Sequence, residues 1–97
     1  MNKSQLVEFL KKHKQDFLQK YQISDIALFG SYAREENNSN SDIDIAIKTK
    51  LSDYFKLYDF KDELEKEFNT KVDIVRLRDK MNPLLKKRII KEGFYVW

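Results

Sequence analysis

The hydrophobic positions near the N-terminus follow a helical period, and the next ones form a short continuous run. Apolar side chains predict an amphipathic helix from about Ser4 to Tyr21, on the residues Leu6, Val7, Leu10, Phe17, Leu18 and Tyr21. The run Ile26–Phe29 is closed by Gly30 and predicts a buried strand. Residues 31–34 are compatible with one helical turn, and the polar stretch 35–41 predicts an exposed loop.

Strict alternation of apolar and polar residues marks the middle of the chain. In residues 42–47, three isoleucines share one face of a predicted strand, while Asp42, Asp44 and Ala46 share the other. A second helix is predicted from Ser52–Asp53 to about Asn69, with the core-facing residues Phe55, Tyr58, Leu64 and Phe68. Residues 71–76 predict a third strand.

A third helix and a last short strand complete the pattern. Asn82-Pro83 is typical of a helix start, and Gly93 is well placed to end that helix. The predicted inward-facing residues are Leu84, Leu85 and Ile89, with Ile90 as a further candidate. Residues 94–97 are compatible with a final strand. The order of elements predicts an α/β (α+β) fold, in which a small mixed β-sheet has helices packed mainly on one side.

Composition narrows the class of protein. A chain of 97 residues fits a single domain, so residues 1–97 are expected to form one unit. The absence of cysteine excludes disulfides, cysteine zinc sites and thiol catalysis. No apolar segment resembles a signal peptide or a membrane span, which predicts a cytoplasmic protein. A net charge of +3 is compatible with a polyphosphate ligand, but direct nucleic-acid binding is not expected.

Three aspartates are the candidate catalytic and metal-binding residues. Asp42 and Asp44 stand two apart on one strand, so their side chains point to the same side. Asp73 lies in the middle of the next predicted strand, and pairing of the two strands would bring all three carboxylates together. Mutual repulsion makes such a cluster unfavourable without a cation. Oxygen ligands without histidine or cysteine favour two Mg²⁺ ions, with Mn²⁺ as an alternative.

The segment before this strand supplies candidate nucleotide-binding residues. Gly30 permits close approach of the main chain, Ser31 adds a hydroxyl donor, and free N–H groups at a helix start can bind a phosphate. Arg34 could reach the β- or γ-phosphate with its guanidinium group. Each feature alone is weak, because Gly-Ser usually forms a plain turn and an isolated arginine is usually a solvated surface residue. Their spacing before Asp-x-Asp makes the combination specific.

The chain resembles the polymerase-β-like nucleotidyltransferase superfamily, and specifically its minimal nucleotidyltransferase branch. The residues that carry the resemblance are Leu28-Phe29-Gly30-Ser31-Tyr32-Ala33-Arg34, Ser41-Asp42-Ile43-Asp44-Ile45 and Val72-Asp73-Ile74-Val75. The resemblance implies a polymerase-β-like core in which Gly30 and Ser31 bind the triphosphate. It further implies that Asp42 and Asp44 ligate both metal ions, while Asp73 ligates the catalytic ion and helps to activate the acceptor hydroxyl. Glu35 is a departure, since the family often has glycine after the arginine.

The resemblance also implies a biological role. Many members of this branch are antitoxins that use ATP to transfer AMP onto a tyrosine of a HEPN-domain toxin, and the same function is expected here. Two alternatives stay open at this point. A non-catalytic antitoxin could act by occlusion, with some of the crowded aromatic residues 54–60 in contact with the partner. A nucleotidyltransferase could instead act on a small molecule or RNA, although the chain has little room for a second substrate domain.

Overall fold

Five helices and four strands make up the described part of the chain, residues 2–97 of a computed structural model. In chain order they are α1 (Lys3–Lys12), α2 (Lys14–Tyr21), β1 (Ile23–Phe29), α3 (Gly30–Ala33), β2 (Ile43–Thr49), α4 (Tyr54–Phe68), β3 (Val72–Arg76), α5 (Pro83–Glu92) and β4 (Phe94–Tyr95). The strands form one mixed sheet in the order β3-β2-β1-β4. Pairs β1–β2 and β1–β4 are antiparallel, and β2–β3 is parallel. Among the described helices, none is long and apolar enough to cross a membrane.

The alternation in β2 divides the sheet into two faces, as predicted. Ile43, Ile45 and Ile47 are fully buried in the larger core, which α1, α2 and α4 cover. Ala46 lies on the opposite face in a smaller cluster that α5 covers with Ile89. Because successive residues of a strand point to opposite faces, Asp44 shares the α5 face with Ala46. The predicted mixed sheet with helices mainly on one side is confirmed.

The first predicted helix is interrupted at His13, so the single helix from Ser4 to Tyr21 was wrong. His13 has φ −100° and ψ 15°, and it ends α1 and precedes α2. Its ring Nδ1 lies 2.9 Å from the carbonyl oxygen of Phe9, while the indole N–H of Trp97 donates to the carbonyl of Leu10 at 2.9 Å. Side chains thus bind two carbonyls of the last helical turn, and the carbonyl of Phe9 also accepts the main-chain N–H of His13 at 3.2 Å.

The buried stripe of α4 differs from the predicted one. Phe55 and Tyr58 are 82% and 64% exposed, whereas Leu57 and Phe60 are buried in their place. The full stripe comprises Leu57, Phe60, Leu64 and Phe68. These positions follow spacings of three and four, so they share one helix face, which Phe55 does not. The prediction followed aromatic bulk instead of helical phase and therefore placed two exposed rings in the core.

Helix α5 starts and ends as predicted, but its buried face is narrower. Asn82 caps the N-terminus by accepting hydrogen bonds from the N–H groups of Leu84 and Leu85. Only Ile89 is fully buried, and Leu85 packs partly against the same cluster. The prediction was wrong for the side chains of Leu84 and Ile90, which are 79% and 62% exposed. A short helix lying over one end of a small sheet buries only a narrow stripe.

The turn after α3 places Glu35 in a strained conformation. Glu35 has φ +58°, a left-handed conformation that residues with a Cβ adopt only at a cost. Glycine adopts it without steric penalty, which explains why the family often has glycine here. The departure noted in the sequence is therefore a source of backbone strain in the loop before β2.

Replacing Glu35 with glycine is expected to stabilise the protein. Relief of strain at φ +58° outweighs the greater freedom of glycine in the unfolded chain, and we expect a gain of several tenths to about 1 kcal/mol in the free energy of unfolding. Urea denaturation measures this gain. Glu35→Ala is the matched control, because it removes the same side chain, keeps the strain and should change stability by less than about 0.5 kcal/mol. A less stable glycine variant would contradict this account.

Candidate functional site

The turn at Gly30 brings the main chain against Asp44. Gly30 follows β1 directly as the first residue of α3, has φ +72° and is buried. A Cβ built on it would overlap the Asp44 carboxylate and lie 3.1 Å from its Cγ. Glycine is thus required both by the left-handed backbone and by the space that Asp44 fills. The Gly30 turn therefore lies directly against Asp44 of the Asp-x-Asp strand.

The pairing of β2 with β3 brings Asp44 and Asp73 side by side. The parallel register matches Asp44 with Asp73, and on its other side Asp44 is opposite Phe29 of β1. Paired residues on adjacent strands project from the same face of a sheet. Asp42 immediately precedes β2, where its carboxylate lies 4.0 Å from the ammonium group of Lys71. The pairing that the sequence argument required is present for Asp44 and Asp73, and Asp42 lies near enough to influence the Asp44 carboxyl group.

The electrostatic environment of Asp44 reflects this crowding. Partial burial raises the pKa of the Asp44 carboxyl group, and the nearby charges of Asp73 and Asp42 raise it further. The guanidinium groups of Arg88 and Arg34 lower that pKa in part. Asp44 therefore lies near two anions and two cations. A divalent cation beside the carboxylates would relieve their repulsion.

The carboxylates do not by themselves enclose a metal ion. Within residues 2–97, no three acidic, histidine or cysteine side chains stand close enough together to hold one ion. Burial raises the pKa of Asp44 most, and repulsion by Asp73 and Asp42, which raises that pKa further, favours separation of the side chains. The backbone register nevertheless keeps Asp44 and Asp73 adjacent on neighbouring strands.

Two carboxylates hold the guanidinium group of Arg34. Its Nε lies 3.1 Å from Glu36 and one terminal nitrogen lies 3.2 Å from Glu92. Glu92 also binds Nε of Arg88, at 3.3 Å. Glu92 thus links two arginines that both influence Asp44. Arg34 thus lies near enough to Asp44 to lower the pKa of its carboxyl group, while its guanidinium group is directed to these two glutamates.

Arg88 was missed by the sequence reasoning, which assigned residues 86–88 to the solvated face of the last helix. The structure places Arg88 close enough to Asp44 to lower the pKa of that carboxyl group. The signal was available from neighbouring positions. Ile89 and Leu85 pack on the face of the sheet that carries Asp44, so one edge of α5 must pass near the carboxylates. Only the strand register shows which edge.

A glycine turn packed against an Asp-x-Asp strand, with a third aspartate on the adjacent strand, is the type of site found in nucleotidyltransferases. A profile of the polymerase β nucleotidyltransferase family matches residues 5–97. An inferred protein adenylyltransferase of Methanocaldococcus jannaschii is 39% identical over 94 residues, with 96% of each chain covered. The protein adenylyltransferase MntA of Thermococcus cleftensis is 26% identical, with 95% of this chain and 93% of the relative covered. The chain therefore belongs to the polymerase β family of nucleotidyltransferases.

Solved structures share the fold over nearly the whole chain. A crystal structure of a toxin–antitoxin with AMP-PNP matches with a TM-score of 0.75 and 28% identity, covering 100% of this chain and 73% of that one. A tri-AMPylated Shewanella oneidensis HEPN toxin in complex with an MNT antitoxin matches with a TM-score of 0.72 and 25% identity, covering 98% and 71%. The predicted polymerase-β-like core is thereby confirmed.

Proposed function

We propose that this protein is the antitoxin of a HEPN/MNT-type toxin–antitoxin pair and silences its HEPN-domain partner by covalent modification. In this proposal residues 1–97 act as one domain in the cytoplasm and transfer AMP from ATP to a tyrosine of the toxin. The observation that carries it is the packing of the Gly30 turn against Asp44, with Asp73 paired to Asp44 on the next strand. Family membership and the AMPylated toxin in a related complex support the choice of acceptor.

Gly30, Ser31 and Arg34 form the proposed triphosphate-binding side of the site. The main-chain N–H groups of the turn and the Ser31 hydroxyl donate hydrogen bonds to phosphate oxygens. The missing Cβ of Gly30 lets this turn lie directly against the Asp44 carboxylate. Arg34 then binds the β- or γ-phosphate. Its exposed pairs with Glu36 and Glu92 are weak enough for a triphosphate to replace them.

The three aspartates fit divalent cations by the chemistry of their donor atoms. All are oxygen ligands, and the charges of Asp73 and Asp42 add to burial in raising the pKa of the Asp44 carboxyl group, which supports a cation beside them. Asp42 and Asp44 would hold two Mg²⁺ ions, and Asp73 would hold one of them; Mn²⁺ suits the same ligands. When bound, the ions neutralise charge on the attacking and leaving oxygens.

The proposed transfer places the acceptor beside Asp73. The tyrosyl oxygen forms a bond to the α-phosphorus of ATP while the bond from that phosphorus to the bridging oxygen breaks, and diphosphate leaves. The Asp73 carboxylate accepts the phenolic proton as the new bond forms. The products are AMP-tyrosine and diphosphate. Arg34, held near Asp44 by α3, stabilises the negative charge on the departing diphosphate.

A direct assay tests this proposal. The protein is incubated with ATP, Mg²⁺ and the product of the neighbouring gene, and the intact mass of that product is measured. We expect one or more adenylyl groups on the partner, located on tyrosine by fragmentation, and no gain when that tyrosine is phenylalanine. No mass gain with any of several nucleotides would contradict the proposal. Transfer to RNA or a small acceptor without a partner would instead favour a different substrate.

One observation favours a second candidate, an antitoxin that acts by occlusion. Tyr54, Phe55 and Tyr58 are 56%, 82% and 64% exposed on the first turns of α4. Adjacent exposed rings of this size are typical of a protein-binding surface. Such a surface serves either candidate, because a modifying enzyme must also bind its partner. The aspartate variant described in the Discussion separates the two.

A further inference from the structure

A groove runs along the outer edge of the sheet beside Asp73. It has a volume of about 670 Å³, and residues 73–76 of β3 form its floor. Tyr54, Tyr58 and Lys61 of α4 line one wall, and residues from Arg78 to Leu85 line the other. The sheet order β3-β2-β1 places this groove on the opposite side of Asp44 from the Gly30 turn. Asp73, the proposed base for the acceptor hydroxyl, therefore lines a cavity that is separate from the proposed triphosphate-binding turn.

The groove carries an excess of unpaired positive charge. Its lining contains four cationic side chains, Lys61, Arg76, Arg78 and Lys80, and one acidic side chain, Asp73. Within residues 2–97, none of these four cations has a carboxylate partner within 4.0 Å. Arg76 donates instead to the carbonyl oxygen of Thr49, and Arg78 to the hydroxyl of Tyr54. A ligand with several carboxylates would complement this surface.

The edge of β3 also offers main-chain hydrogen bonds. Ile43 N–H donates to the carbonyl of Lys71, and Leu77 N–H donates to the carbonyl of Ile47. In a parallel pair the bonding residues alternate, so Val72, Ile74 and Arg76 direct their main chain away from β2. The carboxylate of Glu65 accepts the N–H of Val72 at 2.8 Å. After Val72, no described strand pairs with the outer edge of β3. Its free main-chain groups could therefore bind an extended peptide segment as an additional strand.

We infer that this groove binds an extended, acidic segment of the partner protein that carries the acceptor tyrosine. Carboxylates of the segment pair with the four cations, and its tyrosine lies against the exposed rings of Tyr54 and Tyr58 with its hydroxyl directed to Asp73. The inference rests on the proposed function, since it names the chemistry of the acceptor. The groove combines positive charge, an unpaired strand edge and aromatic side chains around Asp73. These features favour a peptide as the occupant.

Charge reversal in the groove wall tests the inference by binding, independently of catalysis. The probe is a fluorescent synthetic peptide with one tyrosine flanked by glutamates, compared with peptides flanked by glutamines or lysines. Arg78 and Lys80 are exposed and precede α5, so Arg78→Glu with Lys80→Glu should leave the fold intact. The matched control is Lys12→Glu with Lys66→Glu, which changes net charge equally on exposed positions outside the groove.

We expect the wild type to bind the glutamate-flanked peptide in preference to the others. The groove variant should lose roughly tenfold or more in affinity and show a similar rise in KM for the partner in the transfer assay, with ATP affinity unchanged. The control variant should lose little. Equal losses in both variants, or equal binding of all peptides, would overturn the inference. Tighter binding of a single-stranded RNA, or a matching loss of ATP affinity in the groove variant, would also overturn it.

The same experiment separates this inference from the proposed function. Asp42→Asn with Asp44→Asn should abolish transfer yet retain binding of the acidic peptide, because neither residue lines the groove. If the wild type binds the acidic peptide through Arg78 and Lys80 but transfers no AMP to its partner, the docking surface stands and the proposed function fails. If transfer occurs and the groove variant matches the wild type in both affinity and KM, the proposed function stands and the groove assignment fails.

Discussion

Replacing both Asp42 and Asp44 with asparagine is expected to reduce AMP transfer by roughly 10³-fold or more. The two carboxylates are the proposed ligands of both ions. Without the bound ions, the transition state loses several kcal/mol of charge stabilisation, so the activation free energy rises. Initial rates of mass gain on the partner, at saturating ATP and Mg²⁺, measure the effect. The matched control is Asp16→Asn with Asp62→Asn, which removes two exposed carboxylates from α2 and α4 and should keep the wild-type rate.

A measurement of the stability of the same variant tests whether the expected loss of AMP transfer comes from lost chemistry or from a damaged fold. Because the folded-state pKa of Asp44 is raised, the ionised carboxylate destabilises the folded protein at neutral pH. This penalty is present above the folded-state pKa and disappears as the pH falls below the unfolded value. With a chelator present at neutral pH, the variant should therefore unfold at the same temperature as the wild type or a slightly higher one. After solvent screening, the expected gain in the free energy of unfolding is below about 1 kcal/mol. Mg²⁺ with ATP should raise Tm only for the wild type.

Neutralisation in cells then distinguishes the enzyme from the occluding antitoxin. Cells that express the partner toxin should survive with the wild type and die with the folded aspartate variant if AMP transfer silences the toxin. Occlusion predicts survival with both, because Tyr54, Phe55 and Tyr58 lie on α4 and are untouched by the change. A variant that folds, binds the toxin and still protects cells would contradict the enzymatic proposal.

Local patterns in the sequence determined the parts of the fold that build the site. Alternation in β2 assigned each residue to a face, and the position of Asp73 in the middle of the next strand made it a candidate for the same site. The structure supplied the register that pairs Asp73 with Asp44. A period of two leaves no freedom in which side a residue faces. The glycine at the end of β1 followed from its place after a buried run, and the structure added the reason, which is contact with Asp44.

Two of the mistaken predictions depended on contacts between distant parts of the chain, and the one in α4 depended on helical phase. The break at His13 involves a hydrogen bond from Trp97 at the far end of the chain. The exposure of Phe55 follows from the phase in which α4 packs on the sheet, and Arg88 approaches Asp44 only because α5 crosses the same face. The helical period of Leu57, Phe60, Leu64 and Phe68 was readable in the sequence, and weighting aromatic bulk above that period misplaced Phe55. The bond from Trp97 and the edge of α5 that faces Asp44 were not readable from the local pattern.

Replacing Gly30 with alanine is expected to damage both stability and activity. The added methyl group would overlap the Asp44 carboxylate, and the backbone at φ +72° penalises any residue with a Cβ. We expect a loss of about 1–3 kcal/mol in the free energy of unfolding. We also expect a fall in transfer of roughly 10²-fold or more, because the turn and Asp44 must shift apart and misplace the proposed triphosphate.

A second glycine provides the control that separates these two effects. A Cβ on Gly93 would overlap the carbonyl oxygen of Ile89 at the end of α5, so Gly93→Ala also introduces steric strain. Gly93 has φ −68° and does not contact Asp44, so this variant should lose stability yet keep its transfer rate per folded molecule. Folded fractions from denaturation at the assay temperature normalise both rates. If Gly30→Ala matched Gly93→Ala after this correction, Gly30 would serve only to fold the turn, and the contact between turn and carboxylate would have no part in transfer.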